Sequence, residues 1–288
     1  MNTLRVAVTG TTGRVGAALA RRLAASHHVI ELPRWMFDLA DPAGMARVLA
    51  DLECDVFLNP AGLTGLEDCL DQPALAWRVN AEAPGEIAGW AARHRVRLIH
   101  FSTDYVFGGD QPGLRCEDDP VAPRNDYGRS KLAGEQAVLA QTGGCVLRVS
   151  WVFGPEKPSL VDNIRRLALQ GAPLAAVADK FSLPTFTRDL ADWVAALAEA
   201  TDTGVFHGCN SGEPVSWHGL AEETVRQLVR SGRLDPPPAV ARQLLDETAA
   251  FRAVRPRHTA MATPRLTGML GKQPRPWQEA LADYLEMS

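Results

Sequence analysis

The sequence predicts an α/β fold, a doubly wound parallel sheet followed by a smaller C-terminal lobe. Three observations predict it. Short β-rich runs alternate with helical segments through the first half, as parallel strands joined by crossover helices do. A glycine turn, Gly10 to Gly16, joins the first strand to the first helix. Past Gly154 the strands thin out and the loops lengthen, so a second unit begins there. The 288 residues suffice for one large domain with an added lobe. With 46% hydrophobic and 22% charged residues, a sizeable core is expected and disorder is not.

Composition also narrows the function. The net charge is −4 and the basic residues are scattered, which argues against nucleic acid as a partner. No apolar run approaches the roughly 18 residues of a membrane span. The N-terminus reads as a strand rather than a signal peptide. Five cysteines form no C-x-x-C pair, so free thiols in a reducing cytoplasm are expected. The seven histidines lack metal-ligand spacing, and no metal ligand is assigned. No repeats or low-complexity segments occur.

The first strand runs over Leu4–Thr9, and a helix follows over Ala17–Ala25. Strand, glycine turn and helix together form the context that makes a glycine motif meaningful. Gly10 permits the tight turn, Gly13 lets backbone approach a pyrophosphate, and Gly16 lets helix and strand pack closely. Free N–H groups at the helix start then suit phosphate. Thr12, Arg14 and Val15 share this turn. The second strand, Val29–Leu32, ends where the adenosine ribose of a dinucleotide belongs. Arg34, and with it Arg14, suits a 2′-phosphate, which favours NADP(H). Glu31 leaves NAD(H) open, and a solvated loop is the other reading of Arg34. Asp38 and Leu39 follow, and Asp41 is placed to cap a helix starting near Pro42.

Asp55–Asn59 reads as a buried strand. The small residues after Asn59, including Ala61 and Gly62, leave room for a flat ligand. Ala74–Arg95 reads as helix, kinked or split at Pro84-Gly85. A strand over Val96–Ser102 delivers Thr103, Asp104 and Tyr105; the hydroxyls there suit polarising a carbonyl, and a cluster that caps the loop is the other reading. A proline-broken loop, Asp110–Asn125, leads to Tyr127.

Ser130–Gln141 reads as helix, and Tyr127 and Lys131 lie four residues apart, so on a helix they share one face. A phenol ordinarily titrates near ~10. An ammonium beside it is expected to lower that value and fit the phenol for proton transfer at an alkoxide. The second half offers a strand at Cys145–Val149, helices at Leu160–Gln170 and from Pro184 to Ala200, and strands at Leu174–Val177 and Gly204–Gly208. Asp189 or Thr187 is expected to cap the second of these helices. Ser216 caps a helix over Trp217–Arg230, and Trp277–Glu286 is a terminal amphipathic helix. Trp193, Trp217 and Trp277 read as packing residues. Trp151 reads equally as a surface for a sugar to stack on or as core.

These residues resemble the extended short-chain dehydrogenase/reductase family, whose sheet is of the Rossmann type. T-G-x-x-G-x-x-G stands at Thr9–Gly16, Ser-Thr at Ser102-Thr103, and Y-x-x-x-K at Tyr127–Lys131. Further segments resemble its dTDP-4-dehydrorhamnose reductase branch (RmlD-like). They are Ser102–Phe107, Arg148–Phe153, Gly204–His207 with Ser216-Trp217, and Arg255-Pro256 before the Trp277 helix. The resemblance implies an oxidoreductase that delivers a hydride from NAD(P)H to C4 of a nucleotide-linked, dTDP-linked by preference, 4-keto-6-deoxysugar. It implies that Tyr127 donates the proton, Lys131 lowers its pKa and holds the nicotinamide ribose, and Thr103 polarises the ketone. It places Asp104, Tyr105, Val106, Trp151 and Arg255 at the substrate. Gly10, Thr12, Gly13, Arg14, Val15, Arg34, Asp38, Leu39, Asn59, Ala61 and Gly62 make the candidate cofactor site together with Tyr127 and Lys131. Residues 1–154, with about 176–207, form the cofactor-binding domain; 155–175 and 208–288 form the substrate lobe and terminal helix. A homodimer is compatible with the resemblance. Two segments depart from the family pattern. Gln-x-Gly-x-Pro-Thr reads Lys180-Phe181-Ser182-Leu183-Pro184-Thr185, and the Asn-Ser after Arg255-Pro256 reads Arg257-His258. Two other functions are compatible with these markers. One is another sugar-nucleotide epimerase or reductase. The other is a non-catalytic regulatory subunit resembling the beta subunit of methionine adenosyltransferase.

Overall fold

The structure, a computed structural model, describes residues 3–287. Six parallel strands form the central sheet: β1 (Arg5–Thr9), β2 (His28–Leu32), β3 (Val56–Asn59), β4 (Arg97–Thr103), β5 (Cys145–Val149) and β10 (Gly204–Gly208). Their spatial order is β2-β1-β3-β4-β5-β10. β1 pairs on one side with β2 and on the other with β3, so the winding reverses at β1. A crevice opens at the carboxyl ends of strands at such a reversal.

Side chains alternate across each strand, which assigns them to two cores. Val6 and Val8 face α1 (Arg14–Leu23) and α8 (Thr187–Glu199), with Leu19, Leu23, Trp193 and Phe206 in the same cluster. Ala7 and Phe57 join the opposite cluster with Phe37, Ile87 and Trp90, under α2 (Pro42–Asp51) and α5 (Ala83–His94). Burial on both faces explains why these strands read as near-continuous apolar runs.

Helix boundaries show where side-chain chemistry prevails over pattern. α1 begins at Arg14, three residues before the apolar periodicity does, because the glycine turn feeds straight into it. Neither Asp41, at α2, nor Thr187 or Asp189, at α8, caps its helix. Asp189 is drawn instead to Arg275, and Thr187 to Glu156. Ser216 does cap α9 (Trp217–Arg230), accepting from the Gly219 N–H. The segment from Pro73 does not break at Pro84. After α3 (Leu66–Asp71) and α4 (Pro73–Trp77), a π-helical turn, Arg78–Glu82, leads directly into α5. Pro84 sits in the first turn of α5, where its missing N–H costs nothing further.

Past β5 the chain builds the lobe. It comprises β6 (Val152–Phe153), α7 (Leu160–Leu169), β7 (Leu174–Val177), β8 (Phe181–Ser182), β9 (Thr185–Phe186), β11 (Val215–Ser216), α9, β12 (Val240–Gln243) and α11 (Trp277–Glu286). Its cores gather Phe153, Phe186, Trp277 and Tyr284, and Ile164, Val225 and Leu228. One expected lobe segment returns to the sheet: α10 (Pro264–Leu270) puts Leu266 into the β1–α8 core. Among the described residues no helix is long and apolar enough to cross a membrane.

Candidate active site

Gly10 has φ +59, a backbone conformation that a side chain at this position would strain. A Cβ on Gly16 would lie 2.3 Å from the Gly10 carbonyl oxygen, so only glycine lets α1 approach β1 this closely. No side chain caps α1. Its first N–H groups therefore remain available at the crevice, as an anion requires.

The crevice is a cleft of about 730 Å³. It brings together most of the residues expected from the sequence: Gly10, Thr12, Gly13, Arg14, Val15, Arg34, Asp38, Leu39, Ala61, Gly62, Thr103, Asp104, Tyr105, Tyr127, Lys131 and Trp151. Segments from β1, β2, β3, β4, α6 (Asp126–Leu139) and the β5–β6 connection thus meet at one sheet edge. The lining carries buried polar atoms with no partner, Ser102 Oγ and Trp151 Nε1. Such groups are costly unless a ligand or water completes them. The open backbone at α1, the small residues Ala61 and Gly62, and these orphaned atoms fit a dinucleotide.

α6 starts at Asn125, whose side chain accepts from the Gly128 N–H, so Tyr127 and Lys131 both lie on its first turns. Tyr127 is half-buried and packs edge-on against Tyr105, ring centroids 5.8 Å apart. Lys131 is buried, and its Nζ donates to the Phe101 carbonyl at 2.6 Å and lies 3.2 Å from Nε2 of His100. Here one expectation is corrected. Desolvation pushes the Tyr127 phenol above its ordinary value, the Thr103 bond pulls it back, and Asp104 pushes it further up. No lowering by Lys131 offsets this, because the ammonium is turned onto the β4 carbonyl. Burial in turn lowers Lys131 itself to about 8. Thr103 donates to Asp104 Oδ1 at 3.1 Å.

Four other residues take places different from those expected. Asn59 is fully buried behind the cleft wall, bridging Thr9 Oγ1 (2.8 Å) and Nδ1 of His100 (3.2 Å). Val106 is fully buried in the lobe core, because the turn after Thr103 points it inward. Arg255 lies outside the cleft, doubly bonded to Glu67 and stacked 3.8 Å over Phe251. Arg14 lines the cleft, but its guanidinium donates to the carbonyls of Val152, Lys157 and Pro158. It pins the 152–158 loop over the start of α1 and is not free for a phosphate. Arg34 is exposed at the rim, its Nε 3.4 Å from Asp38 Oδ2. Trp151 does both things considered for it: it lines the cleft and packs against Trp217, ring centroids 5.7 Å apart. Its φ of +43 is a strained conformation for a bulky residue.

Sequence reasoning missed Asn80 and Ser130. The π-helical turn aims Asn80 inward, where it bonds both backbone groups of Leu63 (2.9 Å each) and Ser130 Oγ (3.1 Å). That fixes the loop bearing Ala61 and Gly62. Only the proline at position 84 hinted at an irregular helix here. Lys180, fully buried beside Tyr105, was legible only as a departure from a pattern.

The model of a family described as RmlD substrate binding domain matches residues 4–288. The chain belongs to this family. A dTDP-4-dehydrorhamnose reductase of Burkholderia thailandensis is 36% identical over 294 residues, covering 96% of this chain and 97% of that one. A probable dTDP-4,6-dihydroxy-2-methyloxan-3-one 4-ketoreductase of Streptomyces antibioticus is also 36% identical, covering 97% and 94%. Among solved structures, dTDP-4-dehydrorhamnose reductase of Bacillus anthracis, in complex with NADP, matches this RmlD-family chain with a TM-score of 0.91. The identity there is 25%, over 100% of both chains.

Proposed function

We propose that this chain is an NAD(P)H-dependent oxidoreductase that reduces the C4 ketone of a dTDP-linked 4-keto-6-deoxysugar. The observation that carries the reading is the meeting of the Tyr127 phenol, Thr103 and Lys131 with the glycine turn in one cleft. Relatives named as dTDP-4-dehydrorhamnose reductase support it. When bound, the nicotinamide supplies the hydride. The N-terminus of α1, with Gly10, Thr12, Gly13 and Val15, receives the pyrophosphate. Arg34 takes a 2′-phosphate, which favours NADPH over NADH. Lys131, cationic below its lowered pKa of about 8, holds the nicotinamide ribose.

The ketone oxygen accepts the Tyr127 O–H hydrogen bond and takes its proton as charge develops. A phenol pushed upward is a weak acid, so the ring stays protonated until that demand arises. Trp151 and Tyr105 flank the sugar. A neighbouring pocket of about 580 Å³, lined by Trp151, Trp217 and Phe251, suits the nucleotide base. In this reading the central sheet with its flanking helices binds the cofactor, and the lobe binds the sugar nucleotide. A cytoplasmic setting fits the five unpaired cysteines.

The departures at Lys180 and Ser182, beside Asp104, favour one alternative: reduction of a different dTDP-sugar ketone. A panel of 4-keto sugar nucleotides, followed by nicotinamide absorbance with NADPH and NADH, tests both. Stoichiometric NADPH consumption with dTDP-4-dehydrorhamnose supports the first reading. Consumption with another ketone alone supports the second, and no consumption with any ketone defeats both.

A further inference from the structure

A row of buried polar side chains leads inward from Lys131, and no step above uses it. Lys131 Nζ lies 3.2 Å from Nε2 of His100, and Nδ1 of that ring lies 3.2 Å from the Asn59 amide. The amide in turn lies 2.8 Å from Thr9 Oγ1. His100, Asn59 and Thr9 are fully buried. The row thus crosses the sheet from β4 through β3 to β1. Its far end, Thr9 Oγ1, accepts the Ala61 N–H at 3.2 Å, and Ala61 lines the cleft.

Each member of the row has few hydrogens to place. A neutral imidazole has one donor nitrogen and one acceptor, and an ammonium can only donate. Burial, and then the neighbouring Lys131, hold His100 well below its ordinary range, so the ring is neutral. Which nitrogen carries its hydrogen is set by the bond the other makes. Suppose Lys131 is cationic. Nε2 must then accept, Nδ1 carries the hydrogen and gives it to Asn59 Oδ1, and Asn59 Nδ2 turns to Thr9. Suppose instead that Lys131 is neutral. Its lone pair accepts from Nε2–H, Nδ1 accepts from Asn59 Nδ2, and Oδ1 takes the Thr9 hydroxyl hydrogen. The amide stands in this second orientation in the structure. Lys131 has a hydrogen for the Phe101 carbonyl in both cases. The two arrangements differ by one proton, lost to the cleft, together with the tautomer of one ring and a half-turn of one amide.

We propose that His100 is a positioning residue for Lys131: with Asn59 it forms a hydrogen-bond relay that runs in opposite directions for the two charge states of the amine. The proposal rests on the reading in which Lys131 holds the nicotinamide ribose. Through the relay, residues inside the sheet help to decide when Lys131 is a cation. Two other titratable groups act on the amine. Glu135, on the same helix, is paired with Arg148, and Cys69, on α3, donates to the Leu63 carbonyl; both favour the cation. Burial opposes them and brings Lys131 down to about 8, within reach of ordinary working pH.

The test follows the His100 ring by nitrogen NMR in free protein labelled at histidine, from about pH 6 to about pH 10, with the signal assigned by its loss in His100→Phe. The hydrogen should sit on Nδ1 at the acid end and pass to Nε2 as Lys131 titrates. In Lys131→Met the tautomer should not change with pH. NADPH affinity against pH supplies a second readout, taken with melting curves. Asn59→Asp offers the ring an acceptor only, so Nδ1 keeps its hydrogen and Nε2 stays open to the ammonium. The alkaline fall in affinity should then move up by roughly one unit. His100→Phe removes that acceptor, and the fall should move down by roughly one unit. One tautomer throughout in wild type, a tautomer change that persists in Lys131→Met, or two variants that shift the same way or not at all overturns the proposal. Should a variant not fold, the tautomer titration of wild type decides alone. If wild type binds no NADPH, the cofactor reading fails, and that same titration still decides the relay.

Discussion

The two walls of the cleft are built differently. The wall formed by β1, α1 and the loop after β3 comes from contiguous segments, and much of it is backbone held close by glycine and alanine. The facing wall presents Asp104 and Trp151, backed by Ser182, Thr259 and Lys180, side chains gathered from positions up to 155 residues apart. The first can bind a dinucleotide with little dependence on side-chain identity, because backbone N–H groups do not change with sequence. The second can be retuned by single substitutions, as Lys180 and Ser182 illustrate. Cofactor binding and proton delivery should therefore separate under mutation.

The sharpest separation is expected from Tyr127→Phe. Loss of the donor should lower kcat by roughly 10²–10⁴-fold, while NADPH affinity, measured by titration calorimetry, stays within about twofold because no cofactor-wall contact is touched. A parallel loss of NADPH binding would break the comparison. Next comes Glu135→Gln, behind both walls. Glu135 and Arg148 form an ion pair with side chains 1% and 4% exposed. Breaking a buried pair by removing one charge costs about 3–5 kcal/mol. The urea midpoint should fall accordingly, with NADPH affinity preserved in the folded fraction.

A smaller effect is expected at the rim. Arg34→Ala should weaken NADPH by roughly tenfold, about one charge-assisted hydrogen bond, and leave NADH unchanged. Equal weakening of both would mean that Arg34 does not read a 2′-phosphate. The smallest effect is one of pH. Lys131 is a cation whose pKa is depressed to about 8, so it is charged below that pH and neutral above it. NADPH affinity should fall a few-fold from about pH 7 to about pH 9, and Lys131→Gln should abolish that dependence. Lys180→Met should leave it in place, since Lys180 belongs to the other wall.

The same contrast explains what could be read from the chain. Gly10, Gly13, Gly16 and the Tyr127–Lys131 spacing lie within short windows, where period and turn chemistry carry information. Thus the sheet, the glycine turn and most of the cleft lining followed from sequence. The Arg14 clamp on the 152–158 loop, the Arg255–Glu67 pair and the Asp104 hydroxyl cluster depend on partners far away in sequence. Charge and spacing gave no hint of those partners, so Arg14 and Arg255 seemed free for ligands when the fold had already engaged them. Thr103 and Lys131 show the same limit at finer scale. Their positions followed from the motif, but the directions of their hydrogen bonds depended on Asp104 and the Phe101 carbonyl.

The most direct test follows the hydride itself. NADPH deuterated at the transferring C4 position, incubated with dTDP-4-dehydrorhamnose, should lose one deuterium per NADP formed, and mass and NMR spectra should find it at C4 of the reduced sugar. Label that stays on the cofactor, or sugar that epimerises without net NADPH loss, would contradict a cleft built for one-way reduction.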